Sequence, residues 1–241
     1  MRKDTIKFAD KGEVNMIAHR GLSGLERENT CAAFVAAGQR SYYGIETDIR
    51  LTSDGKFIIL HDEDLKRVAG VSLNVAKTTF DELRGAVLLD LDGKPRWDLR
   101  MPSLEDYLRI CKKYDKQAIL EIKIGLDKPQ IAQLLNEVKA SGWLPRTTFI
   151  SFGYDNLLLV KERVKTASVQ FLTDDSSENI LTKLIKDGVD ADFWEGCVTE
   201  KVVATLHKAG RKVNVWTVDE IKNAKKYKDM GVDFITTNIL E

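Results

Sequence analysis

His19 and Arg20 close the run VNMIAHR, Glu46 and Asp48 alternate within GIETDIRL, His61 follows FIIL, and Glu121 and Lys123 end AILEIK. Each run is rich in apolar and β-branched residues, so each of these polar groups stands in or at the end of a strand that is otherwise suited to burial. Carboxylates gathered at such a place repel one another unless they are protonated or neutralised by a cation, and an all-oxygen set favours a hard ion such as Mg²⁺ or Ca²⁺. An imidazole, with an unperturbed pKa of about 6.5, gives or takes a proton near neutral pH. The planar fork of Arg20 suits phosphate, and Gly21 beside it allows the backbone to approach a ligand closely.

The turn TSDGK relates the two carboxylates of GIETDIRL to His61. With Asp54-Gly55 as a two-residue turn, Ser53 faces Lys56 and Asp48 pairs directly with His61, on the face that also carries Glu46. Ile45, Ile49 and Leu51 then share the opposite face with Ile58 and Leu60. Taken alone, this segment is explained equally well by a polar network on an exposed hairpin. Glu121 adds weight to a site, since it stands near the end of a further apolar strand. The remaining histidine, His207 in VVATLHKAG, reads as a helix-surface residue. Cys31, Cys111 and Cys197 are odd in number and lack a CxxC spacing, so they read as buried small apolar residues rather than a disulfide framework.

Elements that would position these residues follow from the alternation of short β-rich runs with amphipathic stretches. Strands are predicted at 14–19, 44–49, 118–123, 147–151, 167–171, 190–194, 212–217 and 232–236, and helices near 30–40, 103–114, 128–141, 154–164, 177–187, 199–209 and 219–229. Ser103, Asp127, Thr199 and Asp219 are predicted helix starts. The pattern is that of an α/β (β/α)8 TIM barrel with its eighth helix missing or vestigial, and 241 residues fit one such domain of about 250 residues. Residues 62–102 carry no barrel element and read as an inserted lobe over the C-terminal mouth, where barrel enzymes place their sites.

Thirty-seven basic residues balance 37 acidic ones, so nothing global draws the chain to nucleic acid or to an anionic membrane. No run approaches 18 apolar residues and the N-terminus lacks a signal-like apolar core. The expectation is a cytoplasmic protein with a small-molecule substrate, without nucleic-acid partners or stable membrane association.

The blocks MIAHRGLSGLERENTCAAF, GIETDIRLTSDGKFIILHD and LEIK resemble the glycerophosphodiester phosphodiesterase family, with weaker similarity in MPSLEDYL, SF, VNVWTV and GVDFITTN. The resemblance implies metal-dependent hydrolysis of glycerophosphodiesters to glycerol 3-phosphate and an alcohol. It implies that His19 and His61 are the acid–base pair, that Glu46, Asp48 and Glu121 ligate the divalent cation, and that Arg20 and Lys123 bind phosphate. Phe152 and Trp216 match aromatic residues at the family's pocket edge, and are equally well read as packing residues. Glu28 and Asn29 fall in the matching ENT segment, behind the site, with capping of the first helix as the physical role open to Asn29. Two departures stand out: Arg27 replaces the usual proline before ENT, placing a positive charge beside the pocket, and Asn238 replaces the aspartate of the final strand motif. Two alternatives remain open: a related barrel phospholipase acting on lysophospholipids or phosphoinositides, and a non-catalytic barrel that binds phosphodiesters. A lipid-acting version needs an exposed apolar rim, which the charged insert with its single Trp97 does not suggest.

Overall fold

A computed structural model describes residues 4–241. In chain order its elements are β1 (Asn15–Ala18), α1 (Cys31–Gly38), β2 (Gly44–Leu51), β3 (Phe57–Ile59), α2 (Lys66–Ala69), α3 (Phe80–Gly85), α4 (Leu104–Lys113), β4 (Gln117–Ile122) and α5 (Lys128–Ala140). They continue with β5 (Thr147–Ser151), α6 (Tyr154–Arg163), β6 (Ser168–Thr173), α7 (Glu178–Asp187), β7 (Asp190–Trp194), α8 (Glu200–Lys208), β8 (Val213–Trp216), α9 (Ile221–Asp229) and β9 (Phe234–Thr237). All except β3 pair in parallel, and the pairing of β1 with both β2 and β9 closes an eight-stranded ring. The fold is therefore the expected (β/α)8 barrel. Among the described residues no helix follows β9; Leu240 instead bridges in parallel to Ile6.

Two apolar layers set the barrel. Ile17, Ile119, Ile150, Leu172 and Phe234 fill its interior with Trp216 packed on them, while Phe34, Tyr107, Leu134, Leu157 and Val203 belong to the larger core that joins strands to helices. Burial of each such side chain is worth roughly 1.5–3 kcal/mol. Ser103 and Asp127 form capping boxes with Asp106 and Gln130, and Thr199 caps α8. Asp219 does not cap α9, which begins after Glu220 without a side-chain cap. Its carboxylate is taken up instead by Thr237 and Asn238.

The hairpin departs from the expected register by one residue. Ile49 pairs with Ile59, Arg50 with Ile58 and Leu51 with Phe57, so Asp48 stands opposite Leu60 rather than His61. The loop has three residues, Ser53 to Gly55, closed by Thr52 and Lys56, with Gly55 at φ +72° and its N–H donated to the Thr52 carbonyl. This is a type I turn followed by a left-handed residue, the three-residue alternative to the two-residue hairpin. The shift moves Ile58 and Leu60 off the barrel core and onto the lobe. There they join Leu65, Val68, Val75, Leu83, Leu88, Leu99 and Met101 in a separate apolar cluster.

Residues 62–102 contain α2 and α3 around that cluster and are fastened to the loop after β1. Arg27 donates to the carbonyls of Leu89 and Asp90, and Arg96 pairs with Glu26 at 2.7 Å. The Arg27 charge is thus spent on the lobe, not placed beside the pocket. Val71, Leu91 and Trp97 are exposed on the lobe, Trp97 at 77%, so the insert is less uniformly polar than its charges suggest. Cys111 is buried, but Cys31 is exposed and Cys197 half-buried, so burial describes only one of the three cysteines.

Gly21 sits at φ +74°, and a Cβ there would lie 2.7 Å from the Ala33 backbone carbon. Gly21→Ala combines a left-handed alanine with a backbone clash. At about 2–4 °C per kcal/mol for a chain of this size, a cost of ~1–3 kcal/mol should lower Tm by roughly 2–12 °C. A calorimetric melt checks this, and an unchanged Tm would show that the loop relaxes freely.

Candidate active site

A cavity of about 150 Å³ opens at the C-terminal ends of the strands, lined by His19, Arg20, Glu46, His61, Glu121, Lys123, Ile150, Phe152, Leu172, Asp192, Trp216 and Thr236. Eight of the side chains singled out from the sequence meet there. Asp48 lies behind them, 1% exposed, and Glu28 and Asn29 support the wall.

The carboxylates come together by register. Asp48 of β2 pairs directly with Glu121 of β4, and Glu46 lies two residues earlier on the same face of β2. One oxygen from each lies within 4.8 Å of the others. The Arg20 N–H donates to Glu46 Oε2 at 2.7 Å, and Asn29 Nδ2 donates to Asp48 Oδ2 at 2.7 Å. Asn29 Oδ1 accepts from Thr47 Oγ1 at 2.7 Å, so this side chain is not a cap; Thr30 caps α1. Arg20 and Asn29 both adopt φ near +55°, and the Asn29 N–H donates to the Arg20 carbonyl. A left-handed non-glycine residue costs on the order of 1 kcal/mol or more, and here that strain aims two donors at the carboxylates.

Positive charge faces the cluster. Lys123 Nζ lies 2.9 Å from Glu121 Oε1 and 3.7 Å from Asp48 Oδ1, and Arg20 Nε lies 3.5 Å from Asp48 Oδ2. These cations do not satisfy it. Burial, with Asp48 and Glu121 beside it, holds Glu46 well above the usual carboxylate range. Burial and Asp48 raise Glu121 to about 7. Asp48 itself is lowered, because Arg20, Lys123 and His61 together outweigh its burial. Asp48 Oδ1 is fully buried and accepts no hydrogen bond. Mutually repelling oxygens and an orphaned acceptor fit a hard divalent cation.

The two imidazoles are held differently. Asn238 Nδ2 donates to Asp219 Oδ2 at 2.6 Å; a carboxylate only accepts, so Asn238 Oδ1 is the atom facing His19 Nδ1 at 2.8 Å. That leaves the proton on Nδ1 and a lone pair on Nε2, 4.0 Å from Glu46 Oε2. Burial and the Arg20 charge pull the His19 pKa down to about 4, so the ring is neutral at pH 7. His61 is fixed through its carbonyl, which accepts from Arg50 Nε and Nη2 at 2.9 and 2.7 Å. Its Nδ1 lies 2.7 Å from Asp62 Oδ1. Asp62 is pulled down to about 2, since Arg67 and His61 overcome its burial. His61 is lowered by burial, opposed by Asp48 and Asp62.

Glu28 connects the two halves of the site. It accepts from Arg20 Nη1 at 2.8 Å and from Arg67 Nη1 and Nη2 at 2.6 and 2.8 Å, and Arg67 Nε donates to Asp62 Oδ2 at 2.7 Å. A single arginine of the lobe helix α2 thereby braces both Arg20 and His61. On the other wall, the rings of Phe152 and Trp216 meet edge to face at 5.7 Å, with Lys123 Nζ 5.8 Å from the Phe152 centroid. Asp62, Arg67, Asp219 and Asp192 were not singled out as site residues from the sequence, Asp219 having been read as a helix start. Asp62 carried a signal, its adjacency to His61, and Asp192 shows strand alternation in DADFW. Arg67 and Asp219 act on residues remote in sequence and carried no local signal.

A profile of the Glycerophosphoryl diester phosphodiesterase family matches residues 19–241. The chain belongs to this family. A glycerophosphodiester phosphodiesterase of Bacillus altitudinis is 28% identical over 229 residues, covering 92% of this chain and 94% of that one. Among solved structures, an Oleispira antarctica phosphodiesterase in complex with the product sn-glycerol-3-phosphate superposes with a TM-score of 0.84 at 26% identity, covering 93% of this chain and 92% of the other. A glycerophosphodiester phosphodiesterase from Parabacteroides distasonis gives 0.76 at 28% identity, covering 94% and 93%. Family membership makes phosphoric diester hydrolysis, with glycerophosphodiesters as substrates, the activity of this chain.

Proposed function

We propose that the chain hydrolyses glycerophosphodiesters to glycerol 3-phosphate and an alcohol, using a divalent cation, Mg²⁺ or Ca²⁺, held by Glu46, Asp48 and Glu121. The observation that carries this reading is the buried three-carboxylate cluster facing the same cavity as two histidines, each with Nδ1 engaged and Nε2 free. A bound cation would supply charge neutralisation at the phosphate. Arg20 and Lys123 bind the non-bridging phosphate oxygens. The neutral His19 accepts a proton at Nε2 from the attacking hydroxyl. His61, backed by the ionised Asp62, delivers a proton from Nε2 to the departing alcohol oxygen. Phe152 and Trp216 wall the organic part of the substrate.

Glycerophosphocholine and lysophosphatidylcholine, each incubated with Mg²⁺, Ca²⁺ or chelator, test the proposal; absence of turnover of both with every metal would refute it. Release of glycerol 3-phosphate from glycerophosphocholine is the expected result. The exposed Val71, Leu91 and Trp97 give the lysophospholipid alternative a specific footing, and faster turnover of lysophosphatidylcholine would select it.

Asp62→Asn tests the assignment of His61. The Asp62 carboxylate raises the His61 pKa, so its neutralisation lowers that pKa. A general acid works only below its own pKa. The basic limb of kcat/KM against pH should therefore move to lower pH in Asp62→Asn, and an unmoved limb or one displaced upward argues against His61 as the acid.

A further inference from the structure

Across the mouth from the carboxylates, the cavity wall from β5 to β8 is largely apolar, formed by Ile150, Phe152, Leu172 and Trp216. Asp192 on β7 interrupts that wall, and Thr236 on β9 lies beside it. Thr236 Oγ1 is engaged with Asn214, accepting from Nδ2 at 2.9 Å and lying 3.2 Å from Oδ1. Asp192 is 1% exposed, and its Oδ1 is fully buried with no hydrogen-bond partner. On the adjoining strand β6, Leu172 pairs with Asp192, and Gln170 on the same inward face also leaves its Oε1 buried and unpartnered. Orphaned buried acceptors are costly and rare, so the one that Asp192 presents in the cavity wall calls for a polar ligand atom there. The cation is not that ligand, because the oxygens that cluster to hold one are those of Glu46, Asp48 and Glu121.

We infer that Asp192 is a specificity-determining residue, its carboxyl hydrogen-bonding a hydroxyl of the substrate's glycerol moiety while the phosphate lies against Arg20 and Lys123. This rests on the proposed hydrolysis of glycerophosphodiesters. An alcohol both donates and accepts, and burial holds the Asp192 carboxyl well above the usual carboxylate range, so the group can do both in return. Burial disfavours the ionised carboxylate that a cationic head group would call for, which directs the site to the polyol end. Trp216 Nε1 donates to the Asp192 carbonyl at 3.1 Å, fixing the aromatic wall to the same strand position as the carboxyl.

The test is calorimetric binding of glycerol 3-phosphate and of n-propyl phosphate, which lacks both hydroxyls, to the Mg²⁺-loaded protein, since this needs no turnover. The wild type should prefer glycerol 3-phosphate by roughly tenfold or more. Asp192→Leu should weaken only glycerol 3-phosphate and bring the ratio close to one, while Asp192→Asn, which still donates and accepts, should retain most of the preference. With glycerophosphocholine as substrate the leucine variant should raise KM and largely spare kcat. Melting curves establish that the variants are folded, and Asp192→Ala is read by the same ratio if the leucine variant is not. Equal binding of the two phosphates by the wild type, or an equal loss of both in the variants, overturns the inference. Failure of the wild type to bind either phosphate overturns the proposed function and the inference with it.

Discussion

Removal of divalent cations should lower hydrolysis of glycerophosphocholine at least about a thousandfold, and Mg²⁺ or Ca²⁺ should restore it. Charge neutralisation at a phosphoryl group is worth several kcal/mol, and each 1.36 kcal/mol is tenfold in rate, which sets the order of magnitude. The electrostatics of the cluster argue the same way. Two ionised carboxylates with oxygens within 4.8 Å of each other repel by at least about 3 kcal/mol at an effective dielectric constant of 20. Lys123 and Arg20 leave Glu46 and Glu121 with raised pKa values despite their proximity. The consequence for stability has a definite sign. Glu46 and Glu121 are protonated in both folded and unfolded chains at low pH. As pH rises above about 4.5 the unfolded chain ionises first, so the chelated protein loses stability up to about pH 7, where Glu121 titrates in the fold. Asp48, whose pKa is lowered, acts below this window and does not cancel the trend. The rise in Tm on adding Mg²⁺ should therefore grow between about pH 5 and 7. Glu46→Gln should reproduce the loss of activity and flatten that dependence. Full activity in chelator would remove the cation from the mechanism.

The barrel was legible because its signal is repeated: eight apolar runs, seven of them separated from the next by an amphipathic stretch, leave little freedom in the assignment. Glu46, Asp48 and Glu121 were legible for a related reason. Strand alternation puts the first two on one face, and a carboxylate in the apolar strand AILEIK has few explanations other than a site. The hairpin shows the limit of such reasoning. Asp54-Gly55 is compatible with two loop lengths that differ by one residue, and that difference exchanges the faces of Ile58 and Ile59. His61 reaches the cavity although the argued pairing with Asp48 is wrong, because it lies beyond the end of β3 and Arg50 grips its carbonyl.

Asp219 and Asn29 illustrate a second limit. Both have the side chains of helix caps next to helices, and both are drawn away by partners distant in sequence, Asn238 in one case and Asp48 in the other. The bracing chain from Arg20 through Glu28, Arg67 and Asp62 to His61 has the same character. It depends on the lobe folding back onto the loop after β1, which no local pattern encodes. The phosphodiester substrate was likewise beyond spacing and entered through family resemblance.

His19→Ala and His61→Ala should each lower kcat on glycerophosphocholine by about 10²–10⁴-fold, the usual range for loss of a general acid or base. Their signatures should differ. His19 is neutral, with its Nδ1 proton committed to Asn238, so only its Nε2 lone pair is available and it serves as an acceptor. His61 faces the ionised Asp62, which stabilises an imidazolium and suits a donor. A nitrophenolate leaving group departs without protonation, so a nitrophenyl phosphodiester needs no general acid. His61→Ala should lose much less activity on that substrate than on glycerophosphocholine, whereas His19→Ala should lose similarly on both. Melting temperatures close to wild type would show that the barrel persists in both variants. Near-normal rates would remove either residue from catalysis, and recovery of His19→Ala rather than His61→Ala on the nitrophenyl substrate would reverse the assigned roles.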